Sequence, residues 1–436
     1  MPTPELKRSI SPFLLWGLGV GYVISGMYFG WNLGLEQGGT GGLAIATFFI
    51  IILYTTFTFS YAELAAAIPK AGGVFDYAHR ALGRDFGFIA GMAQHIEFIF
   101  APPAIAFAIG GYFNLFFPQI PILAIAFIAY FLFTALNIYG VKAAVLFEGL
   151  ITLLAVVELL LFTGITLPHF NLKNLQHNAF PRGWQGILAA IPFAIWFFLG
   201  IEGVANVAEE VKRPQRTILL GFGSAIATLV ILCVLVFLSS VGVAGWEAIV
   251  YRSDGSSSDS PLPLALAHII GNNNLLYHLL ITVGLFGLIA SFHGLILAGG
   301  RSSYEFGKMK YAPSFIGKIH PKFNTPSNAL LVNMGLGIIA LLTGKTAGII
   351  ILSVFGALTL YIISMISLIR LRKTEPGLAR PFHVPFYPFF PVTALIIAVI
   401  CIIAMAVYNL KLSIFYILLM AVSYGFFKLL KKQCNN

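Results

Sequence analysis

Charged side chains are scarce in this chain. Of its 436 residues only 10% are charged, 58% are hydrophobic, and the mean hydropathy is +0.90. A soluble domain carries about 25% charged residues, because it needs polar surface to cover its core. The composition therefore excludes an ordinary soluble domain and a disordered chain. It predicts a polytopic membrane protein, and the 44 Gly and 40 Phe suit closely packed transmembrane helices.

Cysteine and catalytic motifs are also scarce. The three cysteines, Cys233, Cys401 and Cys434, have no metal-type spacing, so the sequence predicts neither a disulfide framework nor a metal site. A P-loop, a nucleophile–base set and the selectivity motif of a channel do not stand out. We expect no catalytic residue, no cofactor and no nucleic-acid partner.

Long apolar runs divide the chain. A bilayer-spanning helix needs about 20 mostly apolar residues, and we expect twelve such segments. They are residues 12–35, 43–68, 86–117, 119–140, 144–167, 186–208, 217–245, 274–300, 327–344, 346–369, 390–409 and 411–430.

The basic residues indicate an orientation. With a cytoplasmic N-terminus, the outer loops hold only five of the 26 Lys and Arg, namely Lys173, Arg182, Arg252, Lys345 and Lys411. Positive charge favours the cytoplasmic side, so we expect both termini to be cytoplasmic in a multi-pass protein of the cell membrane. The net charge of +10 is then a sign of topology, with anionic lipid as a secondary partner.

Apolar segments one and six are interrupted. Residues 16–30 contain five Gly and one Ser, and residues 191–203 contain Pro192, Gly200, Gly203 and the carboxylate of Glu202. Irregular backbone at membrane depth is tolerated where it lines a cavity or is buried in protein. Segment six comes five segments after segment one, and because five is odd the two run in opposite directions, as in an inverted repeat with a central site. Simple close packing of a Gly-rich helix is the alternative for segment one.

Three motifs resemble the amino acid–polyamine–organocation (APC) transporter superfamily. They are residues 61–73 (YAELAAAIPKAGG), residues 196–203 (WFFLGIEG) with 209–214 (EEVKRP), and Arg380-Pro381-Phe382. The resemblance implies an all-α fold with a leucine-transporter-type 5+5 inverted repeat, broken helices one and six, and two additional helices. The expected division is a cytoplasmic N-terminus (1–11), the first repeat (12–167), an outer loop (168–185), the second repeat (186–369), a cytoplasmic loop (370–389), helices eleven and twelve (390–430) and a cytoplasmic tail (431–436).

Within the superfamily, residues 19–32 (GVGYVISGMYFGWN) look most like the ethanolamine permease branch. Amino acid carriers of this type hold the substrate carboxylate on the amides of a Gly-Ser-Gly segment in helix one. Here that segment is Ile24-Ser25-Gly26, and the larger first residue narrows the cradle. The resemblance thus favours a substrate that lacks a carboxylate.

Three glutamates lie well inside apolar segments: Glu97, Glu158 and Glu202. An ionisable side chain at the bilayer centre costs about 2.5–3.5 kcal/mol on the insertion scale, so we treat each as functional first. Glu202 either attracts an ammonium group or carries a coupling proton, and Glu158 is a second proton-coupling candidate. The alternative is a hydrogen bond that joins two helices.

Aromatic side chains at the interruptions are candidates for holding a cation through their ring faces. Lipid-facing or packing roles are the alternative. We assign His95 and His293 to packing, and the family's helix eight implies contact of Phe292 or His293 with substrate as the alternative for His293. The full set of expected substrate-binding residues is Tyr22, Ile24, Ser25, Gly26, Tyr28, Glu97, Trp196, Phe198, Glu202 and Phe292, the last implied by the family's helix eight.

Charged pairs at the inner surface look structural. We expect Glu63 to pair with Lys70, and Glu209 or Glu210 to pair with Lys212 and Arg213, while residues 252–260 form a flexible outer connector.

The sequence as a whole predicts a secondary transporter of a small primary amine such as ethanolamine, working by alternating access with proton coupling or exchange. An amino acid or polyamine carrier is the near alternative, and a channel is a weaker one. No particular oligomeric state is predicted.

Overall fold

Helices form nearly all of the chain in the computed structural model, which describes residues 10–70, 72–140, 144–212 and 214–434, with backbone alone for 144–147, 206–210, 214–215 and 430–434. The α-helices are α1 (Pro12–Val23), α2 (Ser25–Tyr28), α3 (Asn32–Ala67), α4 (Val74–Leu82), α5 (Arg84–Asn114), α6 (Ile122–Tyr139), α7 (Ala144–Thr166), α8 (Leu172–Gln176), α9 (Gly183–Trp196), α10 (Pro214–Ala244), α11 (Trp246–Val250), α12 (Pro261–Ile270), α13 (Leu275–Lys308), α14 (Ser327–Leu341), α15 (Thr346–Thr374), α16 (Phe389–Tyr408) and α17 (Leu410–Cys434). Two 3₁₀ segments, Leu167–His169 and Ile201–Glu210, complete the set for these residues.

Within the described residues, ten helices are long and apolar enough to cross a membrane. They are Asn32–Ala67, Arg84–Asn114, Ile122–Tyr139, Glu148–His169, Gly183–Ala205, Arg216–Ala244, Leu275–Lys308, Thr346–Thr374, Phe389–Tyr408 and Leu410–Leu429. Two shorter apolar helices, Pro12–Val23 and Ser327–Leu341, coincide with the first and ninth predicted segments. The chain is thus a multi-pass helical protein, while the count of twelve and the inverted repeat stay predictions.

The first apolar segment is interrupted within residues 16–30. Helix α1 begins at Pro12, where the Ser11 hydroxyl accepts the Leu14 amide at 3.3 Å as an N-cap. The expected cradle residue Ile24 still has right-handed helical geometry (φ −59°, ψ −23°). The break comes at Phe29 and Gly30, because Phe29 is extended and Gly30 has φ +86°, a conformation that favours glycine. The break therefore falls within residues 16–30.

The sixth apolar segment changes its helical form at its centre. Helix α9 ends at Trp196, Gly200 has φ +102°, and the chain continues as the 3₁₀ segment Ile201–Glu210. The interruption therefore directly precedes Glu202.

A buried ion cluster joins the ends of α3 and α15. The carboxylate of Glu63 is fully buried and accepts two hydrogen bonds from Arg372, at 2.7 and 2.6 Å, and one from the Val384 amide at 2.7 Å. Arg380 lies 3.3 Å from the same carboxylate. We call Glu63, Arg372 and Arg380 the Glu63 cluster.

The expected Glu63–Lys70 pair is therefore wrong. Lys70 lies 4.0 Å from Asp76 instead. The expected pairing of Glu209 or Glu210 with Lys212 and Arg213 lies outside the described side chains.

We expect Glu63→Gln to lower the stability of the purified protein, since two arginines would lose their buried counter-charge. Breaking a buried pair costs on the order of 3–5 kcal/mol, and thermal unfolding in detergent would show a clear drop in melting temperature. The control is Asp85→Asn, which removes an exposed partner of Lys428 and should change the melting temperature little. Equal melting temperatures for Glu63→Gln and wild type would contradict this role.

Candidate functional site

The two interruptions meet face to face. A Cβ atom added to Gly26 would overlap the carbonyl oxygen of Trp196 and lie 3.0 Å from the Cα of Phe197, so the two backbones touch. The Trp196 ring packs against Phe29 and the Phe197 ring against Trp31, each pair with centroids 5.4 Å apart. Only glycine permits this approach at position 26.

Glu202 follows this contact along the chain, in the 3₁₀ segment Ile201–Glu210. Its side chain is fully buried, and its Oε2 atom accepts a hydrogen bond from the Tyr361 hydroxyl at 2.9 Å. Because the Tyr361 proton points to Glu202, the Tyr54 hydroxyl, 2.9 Å from that of Tyr361, is the donor in the next bond. The Phe198 ring packs on Tyr54 at 5.2 Å. Helices α3 and α15 thus position one carboxylate oxygen beside two aromatic rings.

Glu97 on α5 adjoins Glu202, and we call these two residues the carboxyl pair. Both are fully buried, and apart from their mutual contact the two oxygens of Glu97 and the Oε1 atom of Glu202 have no hydrogen-bond partner. The Ser353 hydroxyl donates to the Glu97 carbonyl at 3.0 Å and fixes α5 against α15. Among the described side chains, no Lys, Arg or His forms an ion pair with either carboxyl group.

Glu158 occupies a separate position. Its Oε2 atom accepts a hydrogen bond from the Tyr28 hydroxyl at 2.6 Å, and the Tyr28 carbonyl accepts one from Tyr112 at 3.1 Å. A small cavity of about 10 Å³ adjoins these side chains. Tyr28 therefore faces α7 and α13, and the structure does not bring it together with the carboxyl pair.

Some of the other expected binding residues lie beside the carboxyl pair, and others do not. Trp196 and Phe198 flank the site, and Tyr22 lies across it, because a Cβ at Gly203 would be 3.0 Å from the Tyr22 ring. The Ser25 amide is already bonded to the Ser291 hydroxyl at 2.9 Å, and that hydroxyl donates to the Gly21 carbonyl at 2.6 Å.

Phe292 is placed away from the site. Its ring packs edge-on against Tyr130 and Phe133 of α6, at 5.2 and 5.7 Å. The packing thus does not support its expected contact with substrate. Ile24 is buried in the core beside the interruption.

One buried pair was missed by the sequence reasoning. Glu148 lies 3.5 Å from the Nδ1 atom of His293, which we had assigned to packing, and its Oε1 atom is buried without a hydrogen-bond partner. A Cβ at Gly21 would be 2.9 Å from that oxygen. Glu148 is near the start of a predicted segment, so it is not among the glutamates that the sequence places well inside apolar segments. Its four-residue spacing from Thr152 on one helix face is the signal that marks it.

Residues 257–260 cover the interruption of the first segment. Asn32 accepts the Gly30 amide at 3.0 Å and donates to the Ser258 carbonyl at 2.7 Å, while Asp259 accepts a bond from Thr346 at 3.2 Å. This part of the expected flexible connector is therefore anchored to α3 and α15.

Burial raises the pKa of Asp259 to about 6, against a smaller opposite effect of the Thr346 hydrogen bond. Between the usual Asp pKa of about 3.9 and this value, the folded state binds more protons than the unfolded one. We therefore expect thermal stability to fall as the pH rises from about 4 to 6, and Asp259→Asn to remove that part of the pH dependence.

Asp254→Asn is the control for this measurement. Asp254 is exposed, and the Ser256 hydrogen bonds lower its pKa, which is the opposite shift. This variant should keep the fall between pH 4 and 6. The same slope in Asp259→Asn as in wild type would show that Asp259 is not its source.

Comparisons with known proteins all find similarity to permeases and transporters. A family model described as "Amino acid permease" matches residues 10–424. The chain is 27% identical over 418 residues to uncharacterized transporter R00093 of Rhizobium meliloti (strain 1021), covering 92% of this chain and 87% of that protein. It is 28% identical to the methylthioribose transporter of Bacillus subtilis (strain 168), covering 89% and 86%. It is 24% identical to the branched-chain amino acid permease BcaP of the same strain, covering 90% and 87%.

Proposed function

We propose, from the premise that the chain belongs to the amino acid permease family of membrane transporters, that its substrate is a small primary amine such as ethanolamine. Its relatives are named as transporters, permeases and an exchanger, and the chain is a secondary transporter of this type rather than an enzyme. The substrate class, the coupling proton and the residues that bind them are inferred from the site.

The carboxyl pair carries the proposal. Two adjoining carboxyl groups that lack a nearby cation cannot both be ionised cheaply in a low-dielectric interior, so we infer that the pair holds a proton when no substrate is bound. Apart from the contact within the pair, both oxygens of Glu97 and the Oε1 of Glu202 have no hydrogen-bond partner. A primary ammonium offers N–H donors and one positive charge, which suits buried carboxyl oxygens that have no other donor or counter-charge.

Aromatic faces complete the cation site. Phe198 and Tyr54 lie on one side of Glu202, and Trp196 belongs to the adjacent interruption. A cation over an aromatic ring in a desolvated site gains about 2 kcal/mol. This contribution does not require a carboxylate on the substrate.

The first interruption supports a substrate without a carboxylate. The Ser25 amide is bonded to Ser291, so it is not available as an anion cradle in this conformation. An amino acid is the second candidate, favoured by the relatives named for amino acids. An amino acid would place its ammonium on the same pair.

We assign proton coupling or exchange to Glu202 first. When an ammonium binds, it replaces the proton shared by the carboxyl pair, so the charge at the site is conserved. Glu158 is the second coupling candidate, because Tyr28 connects it to the first interruption. The proposed orientation has both termini in the cytoplasm of a cell whose surface membrane holds the protein, with protons and lipid as its other partners.

Uptake into proteoliposomes tests the substrate. We expect labelled ethanolamine to accumulate under an imposed proton gradient and unlabelled small amines to compete with it. Sodium gradients, amino acids and polyamines are the comparison conditions. Competition by amino acids alone would establish the second candidate, and no uptake or exchange of any of these compounds would refute a transport role for them.

Neutral variants of the pair test the mechanism. We expect Glu202→Gln and Glu97→Gln each to reduce gradient-driven accumulation by about tenfold or more, which corresponds to about 1.4 kcal/mol. Glu305→Gln, which alters a surface pair with Lys308, is the matched control. Normal accumulation by Glu202→Gln would remove Glu202 as the proton carrier.

A further inference from the structure

A deep apolar groove lies on the membrane-facing side of α3, α9 and α16. It has a volume of about 540 Å³ and is lined by residues from 45–52, 184–191 and 393–401 of these helices. Its floor is buried, with Ala46 and Cys401 only 2% and 3% exposed, whereas Phe49 and Trp184 at its rim are 50% and 81% exposed. The groove therefore leads from the lipid-facing surface into the protein.

The chemistry of the lining residues indicates which kind of ligand the groove can bind. Apart from the Thr393 hydroxyl, the Cys401 thiol and the indole of Trp184, its side chains are hydrocarbon. A bound water needs two to four polar partners, so water is poorly suited to this volume. Each helix contributes seven or eight residue steps, about 10–12 Å at 1.5 Å per residue. An elongated apolar chain fits this shape, and the surrounding bilayer supplies acyl chains.

The end of the groove near the start of α9 is suited to a lipid headgroup. Arg182 precedes α9, and its guanidinium donates to the Gln37 side chain at 2.6 Å, which holds it at that end. Exposed Trp184 is of the type that lies at membrane interfaces. The α9 N-terminus adds partial positive charge to that of Arg182.

We propose that the groove binds one acyl chain of a bilayer phospholipid, whose phosphate lies beside Arg182. The bound chain supports the packing of α9 and α16 on α3, the helix that carries Tyr54. Ile52 of the lining lies two residues before Tyr54 on α3, and the Tyr54 hydroxyl is linked through Tyr361 to Glu202. Occupancy of the groove is thereby connected to the transport site, a consequence that rests on the proposed function.

Photo-crosslinking tests lipid binding independently of transport. The full chain is reconstituted in nanodiscs with a phospholipid that carries a diazirine in one acyl chain, and the labelled peptides are identified by mass spectrometry. We expect several-fold more label on the three groove segments than on the exposed helix α17. Equal label on all lipid-facing helices would overturn the proposal.

Groove-filling variants sharpen the result. Ala46→Phe and Thr393→Phe fill the groove from different helices, and each should abolish the excess label. Ala44→Phe is the matched control, because Ala44 lies on the same helix, is exposed and does not line the groove. Unchanged label in a folded Ala46→Phe or Thr393→Phe protein, checked by its melting temperature, would contradict the assignment.

The headgroup is tested with Arg182→Gln. We expect this variant to weaken labelling by the diazirine phospholipid and to leave labelling by a fatty alcohol with the same chain unchanged. Equal phospholipid labelling in Arg182→Gln and wild type would refute the phosphate contact. Loss of label without any change in ethanolamine uptake would separate this site from the transport function.

Discussion

Two carboxyl groups without a described counter-ion lie buried where two interrupted segments meet, and the neighbouring structure is organised around this contact. Glu97 comes from α5 and Glu202 from the 3₁₀ segment that follows α9. Hydrocarbon cannot solvate either charge, so protein groups, a proton or a cation must do so. The Tyr361 hydroxyl satisfies one oxygen of the four, and the other three have no partner outside the pair.

Different kinds of interaction hold the helices around this contact. At the interruptions, backbone touches backbone, which requires glycine at position 26 and packs large rings around it. At the ends of α3 and α15, the Glu63 cluster holds the helices by buried charge. At the first interruption, residues 257–260 are held by the hydrogen bond from Asn32 to the Ser258 carbonyl and by the bond from Thr346 to the Asp259 carboxylate.

The sequence predicted the features that depend on local composition. Long apolar runs predicted the helical segments, and glycine with a carboxylate inside such a run predicted the interruption beside Glu202. Features that depend on three-dimensional packing were not predicted from the sequence. Which helices become neighbours determines the direction of the Phe292 ring, the partner of Glu63 and the Glu148–His293 pair. Spacing along a single segment does not show which helices these are. Which residue within 16–30 ends the helix also depends on packing, because a Gly-rich helix remains helical until a residue such as Gly30 adopts positive φ.

The central claim is that the carboxyl pair holds a proton that a cationic substrate replaces. Infrared difference spectroscopy of the purified protein, with and without ethanolamine, measures this directly through the carbonyl stretch of a protonated carboxyl group. The account predicts that this band is lost on ethanolamine binding in the wild-type protein and that Glu158→Gln retains the same loss, whereas Glu202→Gln does not show it. Ethanolamine binding with an unchanged carboxyl band in the wild-type protein would contradict the account.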